Sequence, residues 1–300
     1  MEFYEMLHYE LIIPNSGIAK SIDISIFSMP VLDSRMYMIP CNLSDDNSNK
    51  HELLIIDPCL WDEADEGAIR QICKKADHAT VLVTHSHYDH IAGVNKLREF
   101  VPLTLYATDL CDKKMQDAHK NLAAYSMALV MDKTEERQRY CEQYFDFNYS
   151  CKADEIYDES IWINLSGCSY AASSGTDAFA ARTQATVSDA DSYLYEDQDS
   201  LYVRTIYTPG HSDCSQCIEL HYAPAASCKD KTIETSLLAV FTGDSLVNGH
   251  DVITRFPSGS KKVFRETAEP YLMSLPDDLV IFPGHGDPAL FGEIKDYSII

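Results

Sequence analysis

Three histidines and a carboxylate occur within six positions of Thr84-His85-Ser86-His87-Tyr88-Asp89-His90. A neutral imidazole offers a nitrogen lone pair to zinc or a similar cation, and a carboxylate offers a hard oxygen, so His85, His87, Asp89 and His90 form a mixed N/O ligand set. Three more ligand types stand after glycine turns: His211 in Thr208-Pro209-Gly210-His211, Asp244 in Thr242-Gly243-Asp244, and His285 in Pro283-Gly284-His285-Gly286. A lone histidine is ordinarily a surface or core residue. Seven ligand types repeated at the ends of strand-like runs are enough for two metals.

The elements that must position these side chains are legible around them. Ala79–Val83 is a β-branched run of strand type, and Ile91–Phe100 carries apolar residues at helical spacing, which puts the histidine loop between a strand and a helix. Leu201–Tyr207, Leu237–Phe241 and Leu279–Phe282 are strand-like, and a glycine after each lets the next side chain project from the sheet edge. Upstream, Ile22–Met29, Ser34–Ile39 and Leu53–Ile56, with a polar loop Ser44–Lys50, read as an antiparallel meander. Asp57-Pro58 closes it. Asp57 is either a turn former before proline or a carboxylate beneath the metal loop that orients its ligands. Asp62–Ala76 is predicted helical, with Ile69, Ile72 and Cys73 on one face.

After a strand at Leu103–Ala107 the character changes. Asp109–Phe147 is charged, methionine-rich and helix-favouring, and Asn148–Ser200 is polar with short apolar patches such as Ile161-Trp162-Ile163. The expectation is one domain over 1–300, with a helical or irregular insertion at about 109–200 acting as a lid or substrate-facing subdomain.

Composition bounds the function. Asp and Glu outnumber Lys and Arg 47 to 24, a net charge of -23, which argues against a nucleic-acid partner. No run of 18 apolar residues suggests a membrane span, and Met1-Glu2-Phe3-Tyr4-Glu5 does not open a secretory signal, so a cytoplasmic enzyme acting on a small molecule is expected. The ten cysteines lack framework spacing and read as reduced, buried thiols. Cys214 and Cys217 have the spacing of a redox or zinc motif without a second pair. Nothing here indicates an oligomeric state.

Leu53–Pro58, THSHYDHIAG (84–93), TPGHSDCS (208–215), FTGDSL (241–246) and the stretch 257–288 together resemble the metallo-β-lactamase superfamily, and within it glyoxalase II-like hydrolases. The resemblance implies an α/β fold, a four-layer αββα sandwich. It implies that His85, His87 and His211 hold one metal, that Asp89, His90 and His285 hold a second, and that Asp244 bridges them, with Asp89 and Asp244 as the catalytic carboxylates. Two Zn²⁺ are expected, with iron or manganese as alternatives. The implied activity is hydrolysis of a small thioester by a hydroxide shared between the metals. A lactonase of the same fold, or a mononuclear iron persulfide dioxygenase, is the alternative. Arg255, Lys261 and Lys262 lie between two ligand segments, either as a solvated face or as anchors for a substrate carboxylate.

Overall fold

The structure is a computed structural model and describes residues 6–13, 20–43, 51–131, 133–165, 169–171, 184–188, 199–225, 228–229 and 232–298. The polar loop 44–50, Cys168 and most of 166–198 lie outside the described residues.

Apolar, β-branched stretches build a first sheet in chain order: β1 (Leu7–Ile13), β2 (Lys20–Ser28), β3 (Arg35–Pro40), β4 (Glu52–Ile56), β5 (His78–Leu82), β6 (Leu103–Thr108) and β7 (Glu155–Tyr157). Pairing is antiparallel from β1 to β4 and parallel from β4 to β7. The switch to parallel needs a crossover, and α1 (Glu63–Cys73) supplies it. Asp62 caps α1 by accepting from the N–H groups of Ala64 and Asp65, and Glu63, Asp65 and Glu66 favour its positive end. Ile69 and Cys73 are its buried residues.

The second sheet is built from β8 (Trp162–Asn164), β9 (Ser169–Ala171), β10 (Gln184–Ser188), β11 (Ser200–Tyr207), β12 (Gln216–Ala223), β13 (Cys228–Lys229), β14 (Thr232–Gly243), β15 (Val280–Pro283) and β16 (Ala289–Leu290). Its main path runs β16-β15-β14-β12-β11-β8-β9. Since β11 and β14 both run antiparallel to β12, and β15 parallel to β14, the C-terminal ends of β11, β14 and β15 share one edge.

The sheets face each other across a core that includes Ile24, Ile39, Leu54, Leu201, Val203 and Phe241. Tyr37 of β3 crosses this core: its hydroxyl donates to the Pro283 carbonyl at 2.6 Å, and its ring meets Phe241 and Phe282 edge-on at 5.1 and 5.3 Å. On the outer face of the first sheet pack α1, α2 (Tyr88–Ile91), α3 (Val94–Leu97), α4 (Asp109–Met115) and α5 (Glu135–Tyr144). On the outer face of the second pack α6 (Lys261–Glu266), α7 (Ala268–Leu272) and α8 (Phe291–Ser298). The order of layers is therefore helix, sheet, sheet, helix.

Three features differ from the sequence reading. A strand at Leu7–Ile13 precedes the meander. Of the helix expected over 91–100, Val94–Leu97 is helical, a separate short helix, Tyr88–Ile91, begins within the histidine loop, and the Gly93 N–H between them turns away to the Pro58 carbonyl at 2.7 Å. Within 109–200, Glu155–Tyr157 pairs with β6 in the first sheet, while Trp162–Asn164, Ser169–Ala171 and Gln184–Ser188 pair into the second, so this region contributes strands to both sheets.

Candidate metal centre

Each ligand-type side chain emerges where an apolar strand has just ended. His85 and His87 follow β5, Asp89 and His90 sit in α2, His211 follows β11, Asp244 follows β14 and His285 follows β15. The two sheets are stitched together at this edge. The N–H of Gln216 donates to the Thr84 carbonyl at 2.8 Å, its side-chain amide donates to the Val83 carbonyl at 2.8 Å, and the Arg35 N–H donates to the Gly284 carbonyl at 2.8 Å. Two glycines make the close approach possible. Gly243 has φ +49, and a Cβ there would meet Thr84 Oγ1 at 2.2 Å; a Cβ on Gly284 would meet Asp244 Oδ1 at 2.4 Å.

All seven side chains converge. Their candidate ligand atoms form three overlapping groups, His85–His87–His211, His85–His90–Asp244 and Asp89–His90–His285, with the atoms of each group within 4.8 Å of one another. Asp244 spans the cluster: Oδ2 is 3.3 Å from His211 Nε2, while Oδ1 is 3.3 Å from His90 Nε2 and 3.5 Å from His285 Nε2. Asp89 Oδ2 lies 3.5 Å from His90 Nε2 and 3.4 Å from His285 Nε2.

Hydrogen bonds behind the cluster fix, for His85, His90 and His211, which ring nitrogen keeps its lone pair. His90 Nδ1 donates to Asp57 Oδ2 at 2.9 Å, and His211 Nδ1 donates to the Ile253 carbonyl at 2.7 Å, so in the neutral ring each Nε2 is the nitrogen that turns its lone pair to the centre. Asp57 also accepts from the Thr84 N–H at 2.6 Å and from Thr84 Oγ1 at 2.7 Å. Having spent its proton there, Thr84 Oγ1 accepts from His85 Nδ1 at 3.1 Å, which leaves His85 Nε2 with a lone pair as well. Asp57 thus both turns the chain, with φ 51, and holds the ligands from beneath.

The electrostatics separate the cluster into two parts. Burial, then the neighbouring rings, holds His85 well below the ordinary imidazole range, and burial with His211 pushes His87 down to about 3. Burial also lowers His211. Burial opposes charge on His90 and His285 too, but Asp89 and Asp244 outweigh it and raise both. For the same reason in reverse, burial is overcome at Asp89 by His90 and His285, which hold its carboxyl down at about 2, and Asp244 lies well below the carboxylate range. Two ionised carboxylates in a buried site call for positive charge between them.

The donor set fits divalent cations. His85 Nε2, His90 Nε2 and Asp244 Oδ1 are buried polar atoms with no hydrogen-bond partner, and all three belong to one of the converging groups. Orphaned lone pairs facing a shared point, with carboxylates beside them, are what a metal site presents.

Above the cluster lies a cavity of about 360 Å³ whose floor is His87, Asp89, Asp244 and His285. Its walls are largely apolar: Leu32, Leu122, Val247, Ile253 and Phe256. The Phe256 ring stands edge-on to both His87 and His211 at 5.8 Å. Leu32 is presented by a turn in which Val31 and Asp33 have φ 77 and 63, and Ser34 Oγ ties that turn to the Asp89 carbonyl at 2.8 Å. Leu122, Ser126 and Lys133 reach the cavity from the segment between β6 and β7.

Arg255, Lys261 and Lys262 are exposed and do not line the cavity; Lys262 faces Glu266 at 3.8 Å on its own helix. Cys214 and Cys217 are free, buried thiols, as are the other described cysteines whose side chains are placed. The sequence reading missed Leu32, Leu122, Ser126, Lys133, His250 and Asp251 as cavity residues, and no local motif marks any of them.

Two facing sheets between helical layers, with this cluster at the strand ends, define the metallo-β-lactamase fold. The family described as Beta-lactamase superfamily domain matches residues 54–138, from β4 through the histidine loop into α5. Among solved structures, the chain is similar to the BLEG-1 B3 metallo-beta-lactamase, with a TM-score of 0.54 and 16% identity over 92% of this chain and 97% of that one. It is similar to TTHA1623 in a di-iron-bound form, with a TM-score of 0.52 and 18% identity over 89% and 94% of the two chains. It is similar to ST1585 from Sulfolobus tokodaii, a metallo-beta-lactamase superfamily protein, with a TM-score of 0.52 and 15% identity over 90% and 82%. No curated protein matches by sequence. Likeness at these identities is a likeness of fold. Among the described residues, no helix is long and apolar enough to cross a membrane.

Proposed function

We propose that the chain is a dinuclear metal-dependent hydrolase of small thioesters. The observation that carries this reading is the convergence of fixed imidazole lone pairs and two ionised carboxylates on one buried point beneath a cavity. His85, His87 and His211 would hold one cation, Asp89, His90 and His285 the other, and Asp244 offers one oxygen to each side. When bound, a pair of divalent cations lowers the pKa of water and stabilises the negative charge that develops on an acyl oxygen. Zinc suits the histidine-rich set, and the di-iron form of one structural neighbour makes iron the alternative.

The chain's own residues supply the rest. Asp57, Thr84 and the Ile253 carbonyl hold the rings in the tautomers the site needs. Asp89 and Asp244, both ionised and both on the cavity floor, would ligate the cations and orient the attacking water by accepting its hydrogen bonds. The apolar walls exclude bulk water and seat the body of the substrate.

The test is thiol release from a panel of thioesters, with zinc and iron counted in the same purified sample. Release at close to two metals per chain supports the reading. A fully loaded protein that releases no thiol from any member overturns it, and moves lactones to the front if the metal is zinc, or persulfide oxidation if it is a single iron.

A further inference from the structure

The cavity wall carries one cationic side chain that the sequence reading did not single out. Among the described residues, Lys133 is the only lysine or arginine lining the cavity, whereas Arg255, Lys261 and Lys262 stand outside it. No carboxylate of the described residues lies within ion-pair distance of its ammonium, although Asp251 lines the same cavity.

The backbone that delivers Lys133 is tied to the metal loop. The Tyr88 N–H donates to the Asn121 carbonyl at 2.7 Å, and the Asn121 side-chain amide donates to the carbonyls of Met115 and Tyr149 at 3.1 and 2.9 Å. Its Oδ1 accepts from the Ala123 N–H at 2.9 Å. This buried asparagine thereby clamps the 3-10 helix Ala123–Leu129 over the site. Lys133 follows, with its N–H donating to the Val130 carbonyl at 3.0 Å and its own carbonyl accepting from the Gln138 side chain at 2.9 Å. It stands immediately before Thr134, the N-cap of α5, so its position is set by the helix start.

Of the other polar wall residues, Tyr88 and His250 offer an anion at most a hydrogen-bond donor, without the charge of an ammonium. Ser126 Oγ spends its proton on the Ala123 carbonyl at 2.8 Å, and Asp251 repels negative charge. The chain as a whole carries a net charge of -23, so an anion reaching this cavity is held by local charge alone. Apolar walls with one ammonium that no carboxylate of the described residues pairs describe a complementary ligand with an apolar body and one negative end.

We infer that the substrate of the proposed hydrolase carries an anionic group remote from the scissile carbonyl, and that Lys133 holds it. The inference rests on the thioester reading for the identity of the scissile bond, and on the cavity lining for the anion. Lys133 is a specificity-determining residue in this account and takes no part in bond cleavage.

The test compares metal-loaded wild type with Lys133→Glu and Lys133→Arg on matched thioesters of a neutral thiol. Succinyl, glutaryl and adipoyl groups are paired with butanoyl, pentanoyl and hexanoyl groups, and a mirrored set puts the carboxylate on the thiol instead, which identifies the end that meets Lys133. At least one anionic member is expected to be favoured about fivefold, the size of an exposed ion pair, with the difference in KM. Lys133→Arg keeps that preference and Lys133→Glu removes it, with circular dichroism and metal content of each variant showing the fold intact. The inference is overturned if no anionic member is preferred to its neutral partner, or if the preference survives Lys133→Glu. A protein that cleaves none of them refutes the thioester reading alone. The anion subsite is then read from calorimetric binding of matched thioethers ending in carboxylate or amide: tighter carboxylate binding, lost in Lys133→Glu, supports it, and equal binding overturns it.

Discussion

Asp57 shows how much of the centre depends on a residue that does not face the cavity. Three donors, the Thr84 N–H, Thr84 Oγ1 and His90 Nδ1, meet its two oxygens. Replacing it with asparagine puts an amide N–H where an acceptor is needed, and either His90 or Thr84 must reorient. Asp57→Asn is expected to weaken metal binding by about 10- to 100-fold while the chain stays folded, read by competition with a chromogenic chelator. Unchanged affinity would show that the rings are oriented without it. At Asp244 the expectation is more severe. Asp244→Ala loses bound metal and thiol release together, because the carboxylate that lies between His211 and His90 is gone. His221→Ala and His250→Ala keep their metal: His221 is buried away from the centre between Glu219 and Thr235, and His250 belongs to the cavity wall and to none of the converging groups. Full metal occupancy in Asp244→Ala would sink the bridging role. The ligand types were legible in the sequence because each stands in or beside a glycine turn or in the dense histidine loop. Asp57 left two readings open, and its backbone and carboxylate serve both. Lys133, Leu122 and Ser126 carried no signal, since their place above the centre comes from the Asn121 clamp, a contact between distant segments.

At the level of elements, the centre is a product of strand ends meeting across a seam. Gly284 sits where β15 hands over to His285, and its missing side chain is the space that Asp244 occupies. Gly284→Ala is predicted to fold, with its metal content cut to half or less, because a methyl group at 2.4 Å from Asp244 Oδ1 must displace that carboxylate. Circular dichroism with metal analysis on the same sample checks it, and normal metal content would show that the turn can shift instead. The strands that end in ligands were readable from their apolar, β-branched runs. The short ones were not: Glu155–Tyr157 and Trp162–Asn164 have three residues each, too few to establish a period, and their strand character comes from pairing with β6 and β11. The helix after the histidine loop was placed but its start was not, because the turn at Gly93 answers to the Pro58 carbonyl of another segment.

Across the whole molecule, the cluster gathers loops from both sheets, so a bound cation stabilises the association of the two halves as well as one loop. Stripping the metal with a chelator is expected to lower the melting temperature by about 5 °C or more, and adding zinc back to restore it, since ligand binding to the native state alone contributes about 4 kcal/mol at a thousandfold excess over Kd. A melting temperature indifferent to the chelator would show that the sheets hold each other unaided. The span of the ligands along the chain, from His85 to His285, has a further meaning for the protein as it is made. While the polypeptide is still emerging, the histidine loop is out long before Asp244 and His285, and it offers a cation only part of a cage. On the dinuclear reading, full loading would wait until the second sheet has docked, and occupancy would record that synthesis and folding have both run their course.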